Sequence, residues 1–96
     1  MRPSIALAKH RDTIRRVVEA NRARNPRIFG SVVRGEDTDA SDLDVLVDPI
    51  SGTTLFDLGA IQFELEETLG VHVDLVTLQD IHPKFRAHVL GEAQPV

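Results

Sequence analysis

Two aspartates stand two positions apart at the head of an apolar run, Asp42-Leu43-Asp44-Val45-Leu46-Val47, and this pattern narrows the choice of fold more than any other in the chain. In a β-strand, side chains at i and i+2 project to the same side. Asp42 and Asp44 therefore share one face, while Leu43, Val45 and Val47 point the other way, into a core. Two carboxylates this close repel each other, and both stay ionised only with something cationic between them. A hard divalent metal meets that demand. The run predicts a sheet that is apolar on one side and carries a cation site on the other.

The remaining elements are read around that strand. Ser4 is placed to cap a helix running to about Ala23, with Leu7, Ile14, Val17 and Val18 as its apolar stripe and Lys9, Arg11, Arg15, Arg16 and Arg22 on its wet side. Asn25-Pro26 ends that helix, because the residue before a proline avoids helical geometry. Arg27 to Phe29 reads as a short strand leading into Gly30-Ser31. After the aspartate strand, Pro49 to Gly52 is a loop, and Thr53 or Thr54 caps a helix to about Leu69 with Asp57 in its first turn. Leu55, Leu58, Ile61, Leu65 and Leu69 line its inner face, Glu64, Glu66 and Glu67 lie mostly outside, and Gly70 stops it. Val71 to Leu78 is the third strand. A last short helix starts near Pro83, in the N1 position that proline prefers, and carries Phe85, Val89 and Leu90. The order α-β-α-β-α-β-α predicts an α/β (α+β) fold, a small mixed sheet with helices packed on one face and polar positions on the other.

Composition removes several classes of function. The chain has 96 residues and no cysteine, which excludes disulfides, thiolate metal sites and a cysteine nucleophile. No repeat, linker or low-complexity tract divides it, so residues 1–96 read as a single domain. No apolar run approaches the roughly 20 residues of a membrane span, and the start MRPSIALAKHRD turns charged too soon for a secretory leader. A cytoplasmic protein with no membrane partner is expected. His10, His72, His82 and His88 lack the compact spacing of a structural zinc site; His82 and His88 read as exposed, and His72 as a neighbour of the polar face. Glu36, Asp37 and Asp39 read as a solvated acidic turn. Residues 1–34 hold nine of the eleven Lys and Arg and a local balance of +7, against −11 for the remainder. Such a split suggests an anionic ligand or an oppositely charged partner, or simply a solvated basic helix beside acidic loops. With four Phe, no Tyr and no Trp, the chain lacks the stacking platform of a single-strand binder, and direct nucleic-acid binding is not expected.

Asp74 is the third carboxylate. It interrupts the apolar strand Val71 to Leu78, where an unpaired charge is costly, and shares a face with His72 and Val76. If that strand lies beside the aspartate strand, Asp74 approaches Asp42 and Asp44. Three such carboxylates could hold two Mg²⁺ ions, the pair that clamps the attacking and leaving oxygens in phosphoryl transfer. Gly30 lets a ligand approach the backbone closely, Ser31 and the N–H groups after it suit an anion, and Arg34, one turn further on, could reach a phosphate oxygen and so joins the nucleotide-binding set.

The combination Gly30-Ser31, Gly35, Ser41-Asp42, Asp44 and Val47, as G-S-x-x-x-G-x-x-x-x-x-S-D-x-D-x-x-V without a gap, resembles the signature of the DNA polymerase beta nucleotidyltransferase superfamily. More narrowly, the chain resembles the minimal nucleotidyltransferases, the MntA-like antitoxins. The resemblance covers roughly Arg27 to Thr77. It implies that Gly30 and Ser31, with Ser41 of the signature, bind the nucleotide, that Asp42 and Asp44 bind the metals, and that Asp74 helps activate an acceptor hydroxyl. Arg34 and His72 lie outside the signature. By the same resemblance, ATP is the substrate, Mg²⁺ the cofactor and a HEPN-domain ribonuclease toxin the partner, neutralised by AMP transfer to a tyrosine. Two other readings stand beside it: an antitoxin that acts by binding alone, and a transferase acting on a small molecule such as an aminoglycoside. A chain this short leaves little protein for a base pocket, so weak base selectivity is expected, or selectivity completed in a homo- or hetero-oligomer.

Overall fold

A computed structural model describes all residues from Met1 to Val96. The elements are α1 (Pro3–Ala20), β1 (Ala23–Phe29), α2 (Ser31–Arg34), β2 (Leu43–Pro49), α3 (Leu55–Leu69), β3 (Val73–Val76), a 3₁₀ turn (Leu78–Asp80), α4 (Pro83–Glu92) and β4 (Gln94–Pro95). The strands form one sheet in the order β3-β2-β1-β4. β2 and β3 are parallel, and β1 runs antiparallel to both β2 and β4. The mixed α+β fold expected from the sequence is the one observed. Parallel neighbours need a crossover rather than a hairpin, and α3 is that crossover.

The alternation in β2 fixes which side is the core. Ile28, Val45 and Leu75 are register partners across β1, β2 and β3, and with Leu43, Val47 and Val73 they face α1 and α3. Ala6, Leu7, Ile14, Val17 and Val18 of α1 and Ile61, Leu65 and Leu69 of α3 complete that cluster. Phe29, Asp44 and Asp74 are partners on the opposite face. That face is not wholly polar: Leu46 is fully buried there, outside the main cluster. No helix is long and apolar enough to cross a membrane.

Several boundaries differ from the sequence reading, each for a local reason. α1 begins earlier than Ser4 allows, with Pro3 in its first turn, and Ser4 does not cap it. The cap comes from far along the chain, the Asp37 carboxylate accepting the Ser4 N–H at 2.9 Å. Asp37 is thus buried rather than solvated, at 5% exposure. α1 stops at Ala20 rather than Ala23, where Arg22 takes a left-handed conformation with φ 60°. Residues 23–29 form one strand because the ladder slips between Arg24 and Arg27, with Asn25 at φ 57°. A bulge is where a strand tolerates a proline such as Pro26. β3 is shorter than Val71 to Leu78, because Thr77 and Asp80 make a capping box that turns the chain into the 3₁₀ segment. In α3 Thr54, one of the two threonines read as its cap, is the N-cap and forms a capping box with Asp57, and Gly70 ends the helix as read, but Leu55 is exposed rather than inward-facing. In α4, Pro83 sits in the first turn and Val89 is buried, while Phe85 and Leu90 are exposed.

Candidate active site

The parallel register of β2 and β3 sets Asp44 directly opposite Asp74. Partners in register share a face, and the Asp74 carboxylate is near enough to add to burial in pushing the Asp44 carboxyl up. Asp42 lies one residue ahead of β2 and is exposed. His72 reaches it, Nδ1 to Oδ1 at 3.2 Å, while the other ring nitrogen lies 3.6 Å from Glu66 Oε2. The Leu43 N–H donates to the His72 carbonyl at 2.9 Å, which extends the strand pairing and holds the imidazole beside Asp42. Glu66 is not merely an outer residue of α3, since it also accepts the Val73 N–H at 3.0 Å.

Asp44 is where the electrostatics concentrate. Burial first, then repulsion from Asp74 and Asp42, push its carboxyl up to about 6, against a smaller opposite pull from Arg34. The three carboxylates do not close into a three-ligand cage; Asp42 turns to His72 while Asp44 and Asp74 stand in register on one face. All are hard oxygen donors, and the repulsion at Asp44 is what a divalent cation relieves. The donor set therefore fits Mg²⁺.

The Gly30-Ser31 turn follows Phe29, the strand partner of Asp44. Gly30 has φ 78° and ψ −150°, a region essentially reserved for glycine. A Cβ there would lie 2.2 Å from Asp44 Oδ2. The chain can therefore pass over the carboxylate only with glycine at this position. Ser31 opens α2, and Gly35, left-handed at φ 73°, ends it. The Ser41 hydroxyl accepts the Thr38 N–H at 2.8 Å and so belongs to the turn that leads into Asp42.

Arg34 does not stand free. Its Nε bonds Glu36 Oε1 at 2.7 Å, and its Nη1 lies 2.9 and 3.2 Å from the two oxygens of Glu92. Those bonds, Glu36 first, raise its pKa further. Glu92 also accepts the Gly30 N–H, at 2.8 Å. Burial pushes the Glu92 carboxyl up, but the Gly30 N–H and Arg34 outweigh it and hold the group below the usual range. Glu92 is the site neighbour that the sequence reading missed. It lies 62 residues downstream of Gly30, in no motif, and only the fold brings it there.

The model of the nucleotidyltransferase domain family matches residues 11–96. MJ0435 of Methanocaldococcus jannaschii, provisionally named a protein adenylyltransferase, is 45% identical over 69 residues, 72% of this chain and 74% of that protein. The protein adenylyltransferase MntA of Thermococcus cleftensis is 38% identical over 65 residues, 68% of this chain and 66% of its own. The solved structure of a candidate minimal nucleotidyltransferase superposes with a TM-score of 0.88 at 39% identity, covering 97% of this chain and 95% of that one. A toxin–antitoxin structure with AMP-PNP shares the fold at a TM-score of 0.74 and 21% identity, over 88% of this chain and 69% of that one. The chain belongs to the nucleotidyltransferase domain family and is an enzyme of the minimal nucleotidyltransferase type.

Proposed function

We propose that this enzyme transfers AMP from ATP to a hydroxyl of a partner protein, acting as the antitoxin of a toxin–antitoxin pair. The observation that carries the chemistry is the register of Asp44 against Asp74, with the Gly30-Ser31 turn packed on Asp44. The protein acceptor is supported by the similar proteins named protein adenylyltransferases. By the family resemblance, the partner is a HEPN-domain ribonuclease and the acceptor a tyrosine. A small-molecule acceptor fits less well. The pocket found in the molecule, about 120 Å³ lined by Leu7, Arg11, Ile28, Val32, Val33, Gln94 and Pro95, contains none of the site carboxylates.

In this reading Gly30 and Ser31 orient the phosphates, and Asp42, Asp44 and Asp74 hold Mg²⁺. Bound Mg²⁺ neutralises phosphate charge and polarises the phosphoryl group. The acceptor oxygen bonds to the α-phosphorus as the bond to pyrophosphate breaks. Asp74, exposed on the outermost strand, takes the hydroxyl proton as general base. The products are adenylylated protein, pyrophosphate and one proton, which Asp74 releases to solvent.

The test is the intact mass of the partner toxin after incubation with this protein, ATP and Mg²⁺. One or more added adenylate masses are expected with the wild type and none with the double variant Asp42→Asn, Asp44→Asn. A second reading, neutralisation by docking with the site idle, is favoured by one observation. Leu55, Phe56 and Phe63 of α3 are 85, 90 and 64% exposed, and exposed apolar surface of this kind marks interaction sites. Full neutralisation by the double variant would select docking.

A further inference from the structure

The phosphate cradle already carries an anion, and it belongs to the chain itself. Glu92 ends α4, and its side chain, 15% exposed, accepts the Gly30 N–H at 2.8 Å while both its oxygens face Arg34 Nη1 at 2.9 and 3.2 Å. We propose that Glu92 sets the affinity and the charge preference of the nucleotide site, by filling with its own carboxylate the donors that a phosphate must take. This rests on the reading of Gly30 and Ser31 as the phosphate-binding turn.

One N–H makes one strong hydrogen bond, so a phosphate oxygen can take the Gly30 donor only as Glu92 leaves it. Leaving the carboxylate in place beside a bound triphosphate would set like charges in contact, which is unfavourable. Arg34 makes the exchange possible, because its guanidinium can turn from carboxylate to phosphate and keep an anionic partner throughout. The segment that must yield has few anchors: Val89 is the only buried residue of α4, β4 pairs with β1 through two positions, Val96 bonds back to Pro26 and Arg15, and His88 lies 3.9 Å from Glu92. A ligand with more negative charge displaces a carboxylate more readily. Glu92 therefore biases the site toward a triphosphate and against the monophosphate.

The experiment titrates ATP, AMP and inorganic tripolyphosphate into wild type, Glu92→Gln and Glu92→Ala, following the Gly30 amide by ¹⁵N–¹H NMR. The other amide shifts report that each variant is folded. In the free protein the Gly30 resonance is expected to move in both variants. ATP and tripolyphosphate should bind both variants about tenfold more tightly than wild type, the scale of one charged hydrogen bond. AMP should gain more than ATP, so that the preference for triphosphate narrows. A merely structural role for Glu92 predicts the reverse, weaker binding on its loss. Equal or weaker binding of ATP by both variants, with wild type binding normally, would overturn the inference and leave the phosphate turn standing. Absence of any Gly30 response to ATP or tripolyphosphate in all three proteins would overturn the phosphate turn as well.

Discussion

A methyl group added at residue 30 would meet Asp44 Oδ2 at 2.2 Å and would also have to accept φ 78°. Gly30→Ala should therefore cost about 1–3 kcal/mol from backbone strain alone, measured by urea denaturation, and should swing Asp44 away from Asp74. Asp44 itself carries the clearest pH signature. Folding raises its carboxyl from 3.8 to about 6, so the folded chain holds that proton more tightly. The stability this contributes is complete below the unfolded value of about 3.8 and lost as pH rises through about 6. Asp74 and Asp42 are the acids that face Asp44, Arg34 is the base, and His72 stands behind Asp42. Asp44→Asn removes the penalty of the ionised form. It should raise the melting temperature near pH 7 by about 4 °C, taking about 1 kcal/mol for a half-exposed group screened by solvent, with no gain near pH 4. Added Mg²⁺ should raise the wild-type melting temperature near pH 7 and raise that of Asp44→Asn less. Asp42, Asp44 and Gly30 were legible because each obeys a local rule, strand alternation or a turn. Glu92 obeys none, and its place follows only from how α4 returns to β1.

At the scale of elements, two contacts separate what sequence patterns reveal from what they hide. The capping box of α3 is written in Thr54 and Asp57, three positions apart, and was readable. The cap of α1 is supplied by Asp37, and no helical pattern links it to Ser4 33 residues away. The Ser4 N–H, helped by Arg2 and opposed by burial, holds the Asp37 carboxyl below the usual aspartate range. Its contribution to stability is present above that range and lost as pH falls through the lowered value. Asp37→Ala should cost about 1 kcal/mol, the usual loss of a helix cap, and should flatten the acid limb of a stability-against-pH curve. Phe56 and Phe63 show the opposite case, apolar residues on a helix that the periodicity does not send inward. At 90 and 64% exposure, their replacement by serine should change stability by less than about 0.5 kcal/mol. Loss of partner binding in those variants, with the melting temperature unchanged, is the outcome expected if this face docks the toxin.

The charge imbalance along the chain takes a different meaning once the molecule is seen whole. Arg2 meets Asp37, Arg27 meets Asp48, Arg34 meets Glu36 and Glu92, and the N-terminal amine lies 3.9 Å from Asp39. Three of the nine basic side chains of the first third, and the N-terminal amine, are thus answered by the acidic remainder of the same chain. Lys9, Arg11, Arg16, Arg22 and Arg24 have no acidic side chain in ion-pair range and carry what basic field is left. The mixed sheet and its layering were readable from the order of elements. The two-residue β4 was not, being too short to show any period. The sheet order also governs how firmly the third acid is held. Asp42 and Asp44 are joined to the Gly30 turn by one antiparallel pairing of neighbouring segments, whereas Asp74 rides on an outermost strand of four residues, delivered by the 15-residue α3. Every fraying of that rim parts Asp74 from Asp44. On the proposed reading of Asp74 as the general base, fraying of β3 would disarm the site while the β1–β2 pairing beneath the Gly30 turn stayed closed.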